Sequence, residues 1–132
     1  MESRKAKVLI IDDHEATRLL IGASFMKSYH VVTQKDGLAA MAWLSTGNLP
    51  DVIILDMQMP RMSGIDLLKQ LQSSGFYRHI PVLMVSGNEA EEDVMKCFAL
   101  GIWGFIQKPF NPISLKEKVR QIIQKNELNT TV

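Results

Sequence analysis

The chain has 132 residues, 46% hydrophobic and 22% charged, with a formal net charge of +1. That length suits one domain burying roughly two-thirds of its unfolded surface, and the near-neutral charge does not predict nucleic-acid binding driven by electrostatics alone. The single cysteine, Cys97, excludes an internal disulfide or a multi-cysteine zinc site and suits a reducing cytoplasm. No apolar run approaches the roughly 18 residues of a membrane helix, and the N-terminus lacks a signal-peptide core. These features lead to the expectation of a single-domain cytoplasmic protein.

In chain order, short apolar runs alternate with helix-length amphipathic stretches. AKVLIID (6–12) has a buried-strand pattern, and residues 14–28 carry Ala16, Leu19, Leu20, Ala23 and Met26 at helical spacing. HVVTQ (30–34) is a short strand, followed by a helix over 36–47 that opens on an Asp-Gly turn. VIILD (52–56) is a strand with the apolar density of one buried on both faces. A helix follows over 63–75, with Ile65, Leu68 and Leu71 on one face. PVLMVSG (81–87) is the fourth strand, and 88–101 is a helix whose acidic start suits the N-terminal dipole. WGFIQ (103–107) is a weak fifth strand. The last helix, 111–126, begins Asn-Pro, as a cap and first position prefer. The polar ELNTTV (127–132) reads as a tail or the start of a linker.

Five strand–helix units in strict alternation predict a doubly wound α/β fold, a five-stranded parallel sheet with right-handed crossovers and helices on both faces. Ligands of such sheets sit beyond the C-terminal strand ends. Those ends hold Asp12 and Asp13, then Asp56, then Ser86, with Lys108 just after the fifth strand. Taken singly, an aspartate after a strand is more often a turn or helix cap, and a serine there a bystander. Taken together, converging carboxylates cannot all ionise without a cation or a raised pKa. Carboxylate oxygens with no nearby His or Cys ligand favour a hard ion, for which Mg²⁺ is the candidate. A metal, a nucleophilic carboxylate, a lysine and a hydroxyl together describe a phosphoryl-transfer site.

IIDDHEATR, LDMQMPRMSG, VSG and GFIQKPF together resemble the receiver domains of two-component response regulators, from about Lys7 to Lys125. The resemblance implies a flavodoxin-like sheet of order 2-1-3-4-5 and a receiver domain over 1–126. It implies that Asp56 accepts a phosphoryl group from the phosphohistidine of a histidine kinase or phosphotransfer protein. Asp13 would bind Mg²⁺ directly, Asp12 mainly through water, and the Gln58 backbone carbonyl would complete the protein ligands beside Asp56. Lys108 and Ser86 would contact phosphoryl oxygens, and Phe105 matches the aromatic that changes rotamer on activation. Lys108-Pro109 matches a peptide bond that is cis in the family. The chain would catalyse its own phosphorylation and dephosphorylation without an ATP site, and it has no GxxxxGK[ST] loop.

Some positions depart from the family pattern. Gln58 stands two after Asp56, where Asn is frequent, and Asn88 stands two after Ser86; both would tune dephosphorylation by flanking the attacking water. Gly101-Ile102-Trp103-Gly104-Phe105 replaces a run that usually has small or polar residues, so Ile102 and Trp103 are candidates for an apolar face meeting a homodimer mate or a downstream protein. The alternative for Trp103 is that it folds back over local side chains. Direct nucleic-acid or membrane contact is not expected. Three other functions compete. A degenerate receiver would serve only as an interaction module. A flavodoxin-like cofactor protein needs a hydroxyl- and glycine-rich loop where DDHEATR stands. A dehalogenase-type phosphatase needs a D-x-D arrangement that adjacent Asp12 and Asp13 do not supply.

Overall fold

A computed structural model describes residues 5–87 and 89–130. Strands β1 (Lys7–Ile11), β2 (His30–Gln34), β3 (Val52–Asp56), β4 (Val82–Ser86) and β5 (Gly104–Gln107) form one sheet in the order β2-β1-β3-β4-β5. Every neighbouring pair is parallel. Between and after them run α1 (Glu15–Phe25), α2 (Gly37–Leu44), α3 (Gly64–Gln72), α4 (Glu91–Ala99) and α5 (Pro112–Thr130). The expected α/β class and strand order are therefore what the chain adopts.

The strand period of two divides the core into two layers. Leu9, Ile11, Ile53, Leu55 and Met84 face α2, α3 and α4, where they meet Leu44, Leu67, Leu68, Leu71 and Cys97. Val8, Ile10, Ile54, Leu83 and Val85 face the other way, toward Ile21 and Phe25 of α1 and Leu115 and Val119 of α5. All five residues of β3 and of β4 are buried, which explains why their sequences lack polar alternation. Strand β2 lies at the sheet edge and is correspondingly half exposed.

Helix α1 turns a different face to the sheet from the one its spacing suggests. Ala16, Leu19, Leu20, Ala23 and Met26 are all exposed, and the buried pair is Ile21 and Phe25. Both stripes have helical period, and the bulkier β-branched and aromatic pair takes the core because it fills more of the layer under β1 and β3. On α3 the expected face holds, with Leu67 added to Leu68 and Leu71.

Helix ends follow local chemistry. The Asp36 carboxylate accepts a hydrogen bond from the Ala39 N–H at 2.8 Å and caps α2. Removing it in Asp36→Ala should cost about 1 kcal/mol, read as a lower urea midpoint with an unchanged m-value. Asn111 caps α5, accepting from the Ile113 N–H at 2.8 Å, and Pro112 is the first helical residue. That helix continues to Thr130 rather than stopping at 126, since 127–130 contains no glycine or proline to end it. No helix among the described residues is long and apolar enough to cross a membrane.

Candidate functional site

Strand register brings the polar residues together. Ile11 pairs with Leu55, so Asp12 and Asp56 follow side by side on adjacent strands. Asp56 pairs with Val85, and Ser86 with Gln107, so Ser86 and Lys108 emerge at the same sheet end. The ladder continues just past the strands, with the Met57 N–H donating to the Val85 carbonyl at 3.0 Å and the Lys108 N–H to the Ser86 carbonyl at 2.6 Å. A cleft of about 600 Å³ opens there, lined by Asp13, His14, Asp56, Gln58, Glu89 and Lys108 among others.

Asp12 and Asp56 are each 2% exposed. Lys108 reaches back across β4, its Nζ standing 3.4 Å from Asp56 Oδ2 and 3.6 Å from Asp12 Oδ2. The Lys108-Pro109 peptide is cis. The Gln58 N–H donates to Asp56 Oδ1 at 3.2 Å. Burial, then the neighbouring Asp12 carboxylate, pushes Asp56 up to about 6, although Lys108 pulls the other way. One lysine thus only partly offsets three clustered carboxylates.

The donor set fits a divalent cation. Oxygens of Asp12, Asp13 and Asp56 and a nitrogen of His14 all lie within 4.8 Å of one another. Asp13 Oδ1 and Asp56 Oδ2 are buried and accept no hydrogen bond, with His14 Nδ1 and Lys108 Nζ standing 3.3 Å and 3.4 Å away. Carboxylate oxygens without a thiolate suit a hard ion.

Two neighbours went unrecognised in the sequence. The expectation of no nearby histidine is wrong, because His14 Nδ1 lies 3.3 Å from Asp13 Oδ1 and 3.5 Å from Asp12 Oδ1. Its only sequence signal was contiguity with the acidic pair. Ser86, 1% exposed, donates its hydroxyl hydrogen bond to Glu89 rather than leaving it free toward Asp56. Glu89 follows Ser86 at the S-x-x-E spacing of a capping box, yet α4 starts only at Glu91, so the pair closes a loop instead.

The remaining expected residues are placed differently. Phe105 is partly buried against the layer that holds α2, α3 and α4. Ile102 is only 7% exposed and belongs to that same core, so it cannot present an apolar surface; the strand entry at Gly104 directs it inward. Trp103 is half-buried against the α1–α5 layer, its N–H donating to the Val82 carbonyl at 2.9 Å. Met57 and Met59 fill core space, as loop and core residues would. Asn88 lies outside the described residues.

A doubly wound parallel sheet with an acidic, lysine-bearing cleft at its carboxyl edge is the architecture of a receiver. Residues 8–120 match the response regulator receiver domain family, and the chain belongs to that family. It is 34% identical over 125 residues to chemotaxis protein CheY-3 of Vibrio cholerae, covering 93% of this chain and 95% of that protein. It is 33% identical to chemotaxis protein CheY of Pseudomonas aeruginosa, covering 90% and 97% of the two chains. The structure of Vibrio cholerae CheY4 is similar with a TM-score of 0.83 at 32% identity, over 90% of this chain and 99% of that one. Phosphorylation and Mg²⁺ binding are typical of the family, as is interaction with histidine kinases or phosphotransfer proteins and with downstream effectors.

Proposed function

We propose that this chain is a cytoplasmic phosphoryl-accepting switch of a two-component phosphorelay, with Asp56 as the acceptor. The observation that carries the reading is the Asp56 carboxylate itself, 2% exposed at a strand tip, with Lys108 Nζ at 3.4 Å and two further carboxylates beside it. A buried charge in that setting is costly unless it is used.

An Asp56 carboxylate oxygen attacks the phosphorus of a phosphohistidine on a kinase or phosphotransfer protein. An O–P bond forms as the P–N bond breaks, and the leaving imidazole nitrogen keeps the electron pair and takes up a proton. Lys108 offsets charge on a transferring oxygen, and Ser86 donates to another once its hydroxyl leaves Glu89. Asp13, Asp56, the Gln58 carbonyl and, mainly through water, Asp12 would hold Mg²⁺, which would supply further charge neutralisation. Phe105 turning inward as Ser86 moves would carry the signal to partner surfaces near β5 and α5, Trp103 among them. Gln58 and Asn88 would set the lifetime of the acyl phosphate.

Incubation with Mg²⁺ and a small phosphodonor should add one phosphoryl mass to the intact chain. The adduct should be lost in Asp56→Asn and on chelation of the metal. A chain that binds Mg²⁺ but never gains the adduct is an interaction module only.

A further inference from the structure

We propose that His14 makes this cleft a mixed nitrogen–oxygen metal site, raising its affinity for imidazole-favouring divalent cations such as Ni²⁺ relative to Mg²⁺. The inference rests on the reading above that the cleft holds a divalent cation, and it assigns a ligand that the carboxylates alone do not supply.

Position is the first support. The His14 N–H donates to Asp12 Oδ1 at 2.8 Å, which ties the His14 backbone to the acidic cluster. Its Nδ1 then stands 3.3 Å from Asp13 Oδ1 and 3.5 Å from Asp12 Oδ1. Ligands on opposite sides of an ion with bonds of about 2.1 Å stand about 4.2 Å apart. The 4.8 Å span of the four candidate atoms is therefore a few tenths of an ångström from what one ion requires. The His14 side chain is 67% exposed and can supply that adjustment without repacking any core residue.

The second support is that helix capping does not occupy the imidazole. His14 occupies the N-cap of α1, but its side chain makes no capping hydrogen bond. Asp13 Oδ1 and Asp56 Oδ2, buried and accepting no hydrogen bond, mark the place where a cation would sit beside it.

Chemistry sets the selectivity. Carboxylate and water ligands suit Mg²⁺ and Mn²⁺, whereas an imidazole nitrogen adds most for later first-row ions, whose affinities rise toward Ni²⁺ and Cu²⁺. Lys108 Nζ, 3.6 Å from Asp12 Oδ2, opposes every cation through its charge and does not alter their order. A competing role for His14 is simple pairing with Asp13. An imidazole so engaged would hinder every divalent ion alike.

The full chain, His14→Gln and His14→Ala are titrated with MgCl₂, MnCl₂ and NiCl₂ by calorimetry at fixed pH and ionic strength. Electron spin-echo spectra are recorded on the bound Mn²⁺. Both substitutions should weaken Ni²⁺ about tenfold and leave Mg²⁺ within about twofold. Modulation from one imidazole ¹⁴N should be present in the wild type and absent from both variants. Equal changes for all three ions, a wild-type Mn²⁺ spectrum without ¹⁴N modulation, or Ni²⁺ uptake unchanged by His14→Gln and so routed through His30 or His79 would each overturn the proposal. If Mg²⁺ itself fails to bind the wild type, the phosphoryl-switch reading falls as well. If Mg²⁺ binds and only the His14 effects are missing, that reading stands.

Discussion

Asp56→Asn should abolish phosphoryl uptake and at the same time stabilise the fold at pH 7 by on the order of 2 kcal/mol. The native Asp56 carboxyl is raised from 3.8 to about 6, first by burial and next by Asp12. Between those two values the folded chain holds the proton while the unfolded chain has released it. Stability from this group is therefore fully present below about pH 4, falls as pH rises to about 6, and stays low above that. The full linkage is about 3 kcal/mol. Asparagine forgoes part of it, because the pairing with Lys108 is lost too. Urea unfolding of both proteins across pH 4 to 8 is the check: the advantage of Asp56→Asn should shrink toward pH 4. A difference independent of pH would show that burial and Asp12 do not raise the Asp56 carboxyl. Added Mg²⁺ should narrow the gap at pH 7, because the wild type keeps the carboxylate the cation needs.

Gly64→Ala is the second large effect, with a loss of about 3 kcal/mol. A Cβ on Gly64 would stand 2.3 Å from the Asp56 carbonyl oxygen and 2.7 Å from Met57 Cα. Both are backbone atoms of the segment that holds Asp56, so no rotamer change relieves the clash. The Gly64 N–H also donates to the Met57 carbonyl at 2.9 Å, which fixes the start of α3 against the end of β3. The new methyl must therefore push α3 away or displace Asp56. Thermal unfolding and phosphodonor labelling should both suffer. A Gly64→Ala chain with unchanged melting and full labelling would contradict the close approach.

The sheet and the place of Asp56 at its carboxyl edge were legible because their signals are local. VIIL has the apolar density of a strand buried on both faces, and a carboxylate at its end has few reasons to be there. Parallel register then turns four separate strand ends into one cleft, a step that alternation of elements already implies. The face of α1 was not legible, since Leu19 with Met26 and Ile21 with Phe25 are both periodic; the packing under β1 and β3 decides between them. His14 was missed because its side chain folds back toward Asp13, a consequence of the β1–α1 turn rather than of any motif. Glu89 was hidden for the opposite reason, as its spacing from Ser86 resembles an ordinary helix start. Ile102 looked like a surface departure, and only the line of β5 showed that it points into the core.

Asp12, Asp56 and Lys108 each leave a different strand, and no two of them are local in sequence. An unfolded chain cannot gather them, so any cation bound in this cleft recognises the finished ladder alone. At a free concentration of a hundred times its dissociation constant, such an ion would deepen the native well by about 2.7 kcal/mol. The cleft is thus a built-in proofreader of strand register: a β3 shifted by one residue would turn Asp56 to the opposite face and forfeit that stabilisation.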